Sequence, residues 1–420
     1  MSIAFPFARP LYVMVKAAGP RCQLRCRYCY YLEKSALYDR QERATMSDAL
    51  LETFTHQYIE AQTMPQVLFT WHGGEPLLRS IDFYRRALAL QQRYARGRHI
   101  DNCLQTNGLL LDDEWCAFLA ENHFLVGLSI DGPQFIHDHY RRDAAGRPTF
   151  ERVMQAVRLL NKHGVEWNAM AVVSSLTATH PHAFYQFFKS IDCRYLQFTP
   201  IVERTCQRAD GLQLATVTPA DTTLTTESAI TLDAQLTPES VTPEAWGDFL
   251  CKVYDEWVQN DVGQVFVQLF DAVLANWVGQ EPGICSLSRH CGHVAAMEYN
   301  GDLYSCDHFV FPEYRLGNIL QQPLTELMNS PHQQLFARRK TGALPRQCRE
   351  CNFLTVCNGE CPKNRFATDR YGQAGLNYLC VGYHRFFRHV AADMDFMANE
   401  LRQGRAPANL MMETYKKRGK

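Results

Sequence analysis

The sequence predicts an α/β fold: a partial (β/α)6 barrel or open parallel sheet, followed by a smaller cysteine-rich domain. Short β-rich runs alternate with amphipathic helical stretches over the first half of the chain. This periodicity ends between about residues 204 and 243, where Thr, Ala, Asp and Pro dominate, as is typical of a domain boundary. Beyond the boundary, eight of the sixteen cysteines fall between Cys285 and Cys380.

Strands and helices of the first half follow from the spacing of apolar residues. The predicted strands are residues 11–15, 67–71, 103–106, 125–130, 167–173 and 195–198. Helices are predicted to begin near Ser47, Asp82, Asp112, Phe150 and His182. Strands joined by helical crossovers run parallel with a right-handed connection. Functional side chains are therefore expected at the C-terminal ends of the strands.

The second half divides into a helical connection, a cysteine-rich region and a tail. Helical patterns cover residues 243–263 and 265–277, and the tail beyond Asp393 is helical as well. The predicted domains are a barrel over residues 1–235, a linker with helices over 236–280, a cysteine-rich domain over 281–390 and a helical tail over 391–420.

Charge and hydropathy restrict the classes of partner. Forty-three basic and forty-four acidic residues give a formal net charge of −1, so no global field favours nucleic acid or an anionic membrane. The N-terminus has no basic region before its apolar residues, and no apolar run reaches the about eighteen residues of a spanning helix. We therefore expect a cytoplasmic protein without nucleic-acid or membrane partners. Cysteines in such a compartment favour metal or redox sites over disulfides.

Cys22, Cys26 and Cys29 form the pattern C-x-x-x-C-x-x-C after the first predicted strand. A structural zinc site needs four protein ligands, so three thiolates leave it incomplete unless another side chain joins. A [4Fe–4S] cluster bound by three thiolates keeps one iron open to an external donor. The residues alone leave the cluster, a zinc site and three structural cysteines as alternatives.

The second cysteine region contains two sets of four thiols. Its members are Cys285, Cys291, Cys306, Cys348, Cys351, Cys357, Cys361 and Cys380. Eight thiolates suit two fully ligated [4Fe–4S] clusters or two zinc ions equally well by composition. The remaining cysteines fall on strand, helix or linker patterns and are expected to be small apolar residues.

The motif C-x-x-x-C-x-x-C-Y after a first strand resembles the radical S-adenosylmethionine (SAM) family. The resemblance implies that the open iron binds SAM and that one electron splits SAM to a 5′-deoxyadenosyl radical. It also implies SAM contacts from Tyr28, Gly73, Gly74, Ser129, Arg141 and Val202. Arg142 is an equally placed rival of Arg141, and Val202 fits an ordinary core residue as well as a SAM contact. The QTNG segment with Asn107 fits a turn as well as a ligand site.

The order of spacings in the second region resembles the SPASM domain, which follows radical SAM cores that modify peptides and proteins. The resemblance implies two auxiliary clusters with interleaved ligands. One set is Cys285, Cys291, Cys306 and Cys361, and the other is Cys348, Cys351, Cys357 and Cys380. The implied cofactors are therefore SAM and three [4Fe–4S] clusters.

Asp307 directly follows Cys306 in the segment NGDLYSCDHF. A carboxylate held beside a cluster ligand suits a general base, although an exposed loop aspartate is usually only solvated. Cys-Asp in this context resembles the base of the anaerobic sulfatase-maturating enzymes. PLYVMVK, MPQVLFTWHGGE and GLNYLC extend that resemblance over nearly the whole chain. His72 stands where some members carry glutamine, and we expect its side chain to face the substrate.

This resemblance implies oxidation of a cysteine or serine in a sulfatase to Cα-formylglycine without dioxygen. The radical would remove a hydrogen atom from Cβ, Asp307 would take the thiol or hydroxyl proton, and the auxiliary clusters would carry the second electron. The expected partners are an unfolded or nascent sulfatase polypeptide and an external donor of the flavodoxin or ferredoxin type. The alternative function is a SPASM peptide maturase that forms thioether or other cross-links in a ribosomal peptide. A cysteine-rich electron carrier or scaffold is the non-enzymatic alternative.

Overall fold

The computed structural model describes residues 10–38, 45–206, 212–214 and 234–412. Its strands are β1 (Tyr12–Lys16), β2 (Gln66–Trp71), β3 (His99–Thr106), β4 (Leu125–Ser129), β5 (Trp167–Val173), β6 (Tyr195–Pro200), β7 (Arg204–Thr205), β8 (Gln235–Leu236), β9 (Phe266–Val267), β10 (Val294–Glu298), β11 (Asp302–Tyr304), β12 (Arg315–Asn318), β13 (Ala367–Thr368) and β14 (Ala374–Leu376). Ten of these strands form one sheet, in the order β12-β11-β10-β1-β2-β3-β4-β5-β6-β9.

Helices cover both the barrel and the cysteine-rich region. They are α1 (Asp48–Ala61), α2 (Ile81–Tyr94), α3 (Asp113–Glu121), α4 (Gln134–Tyr140), α5 (Phe150–His163), α6 (Ser175–Ala178), α7 (Pro181–Ser190), α8 (Pro243–Asn260), α9 (Gln268–Trp277), α10 (Leu324–Met328), α11 (Pro331–Gly342), α12 (Arg346–Arg349), α13 (Leu354–Cys357) and α14 (Cys380–Arg402). The capping residues Ser47 and Asp112 accept the backbone bonds expected at the starts of α1 and α3.

The predicted parallel α/β core is confirmed. Strands β1 to β6 pair with their sequence neighbours, all in parallel. All six predicted strands are present, and β5 has the predicted bounds. The sheet packs against a core of large aromatic side chains, including Phe69 and Trp71 of β2 and Tyr58 of α1, all fully buried. Because these six strands run parallel, their C-terminal ends lie along the same edge of the sheet.

The sheet continues beyond the predicted barrel. β10 pairs in parallel with β1. β11 then pairs antiparallel with β10, and β12 pairs antiparallel with β11 and forms the edge of the sheet. These three strands lie in the region that the sequence assigns to the cysteine-rich domain. Without β10, one edge of β1 would expose a row of unpaired backbone N–H and C=O groups. β10 forms hydrogen bonds with these groups.

A close helix contact ties the C-terminal helix to the rest of the chain. Gly247 of α8 faces Gly382 of α14, and a Cβ on Gly382 would lie 2.2 Å from the Pro243 carbonyl oxygen. The two helices therefore pack backbone to backbone. α14 begins at Cys380 and runs through the predicted boundary at residue 391, so the tail and the cysteine-rich region share one helix.

Most of the predicted excursion at 204–243 and the end of the tail lie outside the described residues. No helix in the described ranges is both long enough and apolar enough to cross a bilayer. All sixteen cysteines lie in the described part of the chain, and all are free thiols.

Candidate active site

The three-cysteine loop follows β1 and is held by the loop after β2. Gly74 N–H donates to the Gly19 carbonyl at 2.9 Å, and Glu75 N–H donates to the Arg21 carbonyl at 2.8 Å. A Cβ on Gly74 would lie 2.1 Å from the Arg21 carbonyl oxygen, so only glycine permits this approach. The backbone of HGGEP thus fixes the position of the cysteine loop.

The structure brings Cys22, Cys26 and Cys29 together at the end of β1. Burial raises the pKa of Cys22 to about 11 and that of Cys26 to about 12, and a charge on one thiol raises the pKa of its neighbours. Cationic metal centres hold such thiols as thiolates. The donor set therefore fits the iron–sulfur cluster that the motif predicts.

Glu75 is a buried carboxylate that joins the ends of β2 and β3. One oxygen accepts from Thr106 Oγ1 at 2.8 Å and Leu77 N–H at 3.0 Å, and the other accepts from Asn107 N–H at 2.9 Å. Burial raises the pKa of Glu75 to about 7. The sequence identified Glu75 as part of the motif but assigned a ligand contact only to the two glycines, so the structural role of Glu75 was missed.

The side chains predicted to contact SAM lie around the same strand ends. Ser129 Oγ accepts from Gln105 Nε2 at 2.9 Å at the end of β4. The Arg141 guanidinium donates to both oxygens of Asp131, at 2.9 and 3.2 Å, and Tyr28 Oη donates to the same carboxylate. Arg141 is thus buried and already paired within the protein, so a ligand carboxylate there would share it with Asp131.

Other predicted contacts are arranged differently. Arg142 is half-buried and donates to the Gly146 carbonyl at 3.0 Å, away from the Asp131 pair. The Val202 carbonyl accepts from Lys363 Nζ at 3.0 Å, so a residue of the cysteine-rich region holds it. Asn107 contacts the three-cysteine loop, since its Nδ2 lies 3.6 Å from Cys22 Sγ.

Asp307 is buried beside the cysteine loop, and both of its carboxylate oxygens are bonded to other side chains. Lys16 Nζ, at the end of β1, forms an ion pair with Oδ1, and Tyr30 Oη donates to Oδ2. Burial alone would raise the pKa of Asp307, but the positive charge of Lys16 outweighs burial and holds this pKa below the usual range. Asp307 is therefore a carboxylate at neutral pH.

His72 completes this group, and its tautomer follows from its contacts. Gly73 N–H donates to His72 Nδ1 at 2.8 Å, and Lys16 Nζ lies 3.1 Å from the same nitrogen. Because Nδ1 accepts, neutral His72 carries its proton on Nε2. Burial lowers the pKa of His72 to about 4, with Lys16 adding to the effect, so the ring is neutral at pH 7. The histidine thus offers one N–H donor from Nε2.

The pairing of β1 with β10 explains how Asp307 reaches this position. Lys16 pairs in register with Glu298, and the β10–β11 hairpin then leads directly to Cys306 and Asp307. Lys16 Nζ lies 4.5 Å from the centre of the Tyr31 ring, and Tyr31 Oη donates to Glu298 at 2.6 Å. Burial raises the pKa of Glu298 to about 7. Sequence reasoning missed both Lys16 and Glu298, because their roles depend on this long-range pairing.

The eight thiols of the second region separate into two groups of four neighbours. Mutual electrostatic contacts link Cys285, Cys291, Cys306 and Cys361 in one group, and Cys348, Cys351, Cys357 and Cys380 in the other. These are the sets that the resemblance implies. Buried Arg365 lies close to thiols of both groups, and buried Lys340 donates to the Glu360 carbonyl at 2.7 Å. Both cations suit anionic clusters, and sequence reasoning did not single them out.

The spread of these donors bears on the zinc alternative. In the ranges that the structure describes, no three Cys, His, Asp or Glu side chains converge on a point that would hold a single ion. Thiolates around one zinc ion lie at about 2.3 Å from it and nearly touch one another. Thiolates around a four-iron cluster stand further apart, because each binds a different iron. The two alternatives thus differ in the spacing of the sulfur atoms that each requires.

Comparison with protein families identifies two regions of the chain. Residues 18–188 match the radical SAM superfamily, and residues 289–352 match SPASM, an iron–sulfur cluster-binding domain. The first range contains the three-cysteine loop and the strand ends described above. The second contains Asp307 and four of the eight clustered cysteines.

Curated relatives match nearly the whole chain. It is 57% identical over 406 residues to the serine-type anaerobic sulfatase-maturating enzyme of Bacteroides thetaiotaomicron, covering 97% of this chain and 95% of that protein. It is 29% identical to the cysteine-type enzyme of Clostridium perfringens (strain 13 / Type A), covering 94% and 100%. The solved structure of native anSMEcpe with bound AdoMet and Cp18Cys peptide matches with a TM-score of 0.79 and 29% identity, covering 94% of this chain and 100% of that one.

Replacing Glu298, which pairs in register with Lys16, by glutamine tests whether burial raises the pKa of this carboxyl group. The folded pKa of about 7 exceeds the unfolded value of about 4.3, so the folded state holds this proton more tightly. The stability contributed by the group is fully present below the unfolded pKa and is lost as pH rises through about 7. We expect Glu298→Gln to raise the melting temperature relative to the parent more at pH 8 than at pH 5, in anaerobic melts.

The control is Glu151→Gln, which changes an exposed glutamate of α5. It should show the same difference from the parent protein at both pH values. A Glu298→Gln variant that is equally destabilised at pH 5 and pH 8 would contradict the assignment of a protonated, buried Glu298.

Proposed function

Because the chain belongs to the anaerobic sulfatase-maturating enzymes, a radical SAM family, we propose that it oxidises a serine of a sulfatase polypeptide, with Asp307 as general base. The family reaction converts a cysteine or serine to Cα-formylglycine by radical SAM chemistry. The observation that carries the proposal for this chain is a group of four side chains beside the three-cysteine loop: buried Asp307 and Lys16 with half-buried Tyr30 and His72.

The proposed cofactors are SAM and three [4Fe–4S] clusters. Cys22, Cys26 and Cys29 would hold the cluster that binds SAM, and the two groups of four thiols would hold the auxiliary clusters. Bound together, SAM and the first cluster supply the one-electron chemistry that removes a hydrogen atom from Cβ. The proposed SAM contacts remain Tyr28, Gly73, Gly74, Ser129, Arg141 and Val202.

Asp307 is suited to remove the second hydrogen as a proton. Its low pKa keeps it ionised, and a hydroxyl on a carbon-centred radical is more acidic than an ordinary alcohol. Lys16 and Tyr30 fix both carboxylate oxygens, so the base needs no reorganisation when the proton arrives. Since Asp307 follows the proposed ligand Cys306, the proton and the second electron leave the substrate at adjacent positions.

The preference for serine is supported by His72. Its Nε2–H is a nitrogen donor, and a serine oxygen accepts such a bond far better than a thioether or thiol sulfur does. A bond from His72 to the serine oxygen would leave the hydroxyl proton free to point at Asp307. The 57% identity to a serine-type relative, against 29% to a cysteine-type one, supports the same preference.

We assign two further partners of the reaction. An unfolded or nascent sulfatase segment is the substrate, since an extended chain is needed to reach a buried base. An external one-electron donor of the flavodoxin or ferredoxin type would supply the electron to a cluster held by Cys22, Cys26 and Cys29. Sixteen free cysteines support a reducing, cytoplasmic location.

Two peptides from a sulfatase active site, identical except for serine or cysteine at the target, test this function. With SAM and a low-potential reductant under anoxia, the serine peptide should lose two hydrogen atoms and gain an aldehyde, as read by mass spectrometry and hydrazine capture. A cross-linked product without aldehyde would favour the cross-linking peptide maturase, and no change in either peptide would reject both.

The variant His72→Phe provides the matched comparison for the serine preference. It keeps an aromatic ring but removes the Nε2–H donor, so turnover of the serine peptide should fall about tenfold more than turnover of the cysteine peptide. Equal losses with both peptides would contradict a role of His72 in selecting serine.

Asp307→Asn tests the base directly. The amide keeps the size of the side chain but cannot take a proton, so formylglycine formation should fall by about 10²–10⁴. Formation of 5′-deoxyadenosine from SAM should continue, as measured by chromatography of the same samples. The exposed Asp192 supplies the control Asp192→Asn, which should leave both products unchanged. Unimpaired aldehyde formation by Asp307→Asn would exclude Asp307 as the base.

A further inference from the structure

Four arginines surround the three-cysteine loop and form a surface that we call the basic rim, defined by Arg21, Arg25, Arg27 and Arg142. The first three are exposed and Arg142 is half-buried. They come from two distant parts of the sequence, the cysteine loop itself and the segment after α4. The chain as a whole has a formal net charge of only −1, so this rim is a local feature.

The backbone brings the two basic segments together. Residues 23–27 run antiparallel to residues 140–144, with a bridge between Leu24 and Asp143. Arg25 N–H donates to the Arg142 carbonyl at 2.8 Å, and Arg27 N–H donates to the Tyr140 carbonyl at 3.2 Å. In this register Arg25 lies directly opposite Arg142, with Arg27 two positions further along the same ladder.

Like charges placed opposite each other across an antiparallel pair are destabilising, and arginine does not lose its charge in proteins. Two of the rim guanidiniums contact backbone carbonyls or a histidine ring. Arg25 donates to the Cys22 and Leu24 carbonyls at 2.9 and 2.8 Å, and Arg27 lies 3.4 Å from His139 Nε2. The nearby carboxylates have other partners, since Arg141 holds Asp131 and Arg147 holds Asp143. Among the described residues, no rim arginine forms an ion pair.

We propose that the basic rim is the docking surface for an acidic one-electron carrier, which delivers the electron to the three-cysteine cluster. This inference rests on the proposed function, because only a reducible cluster at Cys22, Cys26 and Cys29 requires such a partner. The three ligands are partly exposed in the same loop as the rim, so a carrier bound there approaches the cluster closely. A ring of positive charge steers a negatively charged partner and fixes its orientation. Its main effect is to raise the association rate constant.

The competing explanation is that the arginines only offset the negative charge of the cluster. It predicts that their removal harms reduction of the cluster by any reductant. Docking predicts harm only with an acidic protein donor, and an effect that weakens with salt, because the screening length falls from about 10 Å at 0.1 M to about 3 Å at 1 M.

The test uses the anaerobic holoenzyme with the charge reversals Arg27→Glu and Arg142→Glu combined. Release of 5′-deoxyadenosine is measured with two reductants, a reduced flavodoxin of net negative charge and reduced methyl viologen, a small cation. With flavodoxin at low salt, the variant should need about tenfold more donor for half-maximal rate, and the difference should shrink at high salt. With methyl viologen, its rate should equal or exceed that of the parent enzyme.

The matched control is Arg158→Glu combined with Arg388→Glu, two exposed arginines on α5 and α14 that change the net charge equally. It should behave as the parent protein with both reductants. An unchanged flavodoxin dependence in the rim variant, an equal loss in the control, or a loss with methyl viologen as well would each overturn the docking surface. Absence of 5′-deoxyadenosine from the parent enzyme with either reductant would instead reject the proposed function.

Discussion

The parallel pairing of β1 with β10 is the constraint on which the active site depends. It places Lys16 in register with Glu298 and carries the chain, through one hairpin, to Cys306 and Asp307. The cysteine loop leaves the same end of β1, so the two halves of the chain meet at a single strand. The cysteine-rich region is therefore built into the barrel sheet, and its carboxylate Asp307 lies beside the three-cysteine loop of the barrel.

The positive charge of Lys16 stabilises the contact between the end of β1 and Asp307. Its side chain is fully buried, and it contacts Asp307, His72 and the face of the Tyr31 ring. Buried charges are tolerated when each is paired and hydrogen-bonded, and removing one partner of such a pair costs about 3–5 kcal/mol. The same lysine keeps Asp307 ionised and, together with the Gly73 N–H, fixes the tautomer of His72. Burial and Lys16 together keep His72 neutral.

Local patterns were sufficient to predict the strands β1 to β6 and to single out the three-cysteine loop, since each is encoded by neighbouring residues. Asp307 was singled out by its place after Cys306 and by the resemblance, and its role as a base stays a prediction. Short α4 and α6 carried too few turns for a clear period and were not predicted. The pairing of β10 with β1 and the hydrogen bond from Asn107 to Glu75 join residues far apart in sequence. No local signal reports such contacts, so they required the structure.

Iron and acid-labile sulfide analysis of the anaerobically isolated protein tests the central claim most directly, because the account requires one open and two closed four-iron clusters. We expect about twelve of each per chain, falling to about eight when Cys22, Cys26 and Cys29 are replaced by alanine, with loss of 5′-deoxyadenosine formation. Stoichiometric zinc without iron, or continued SAM cleavage by the triple variant, would contradict the account.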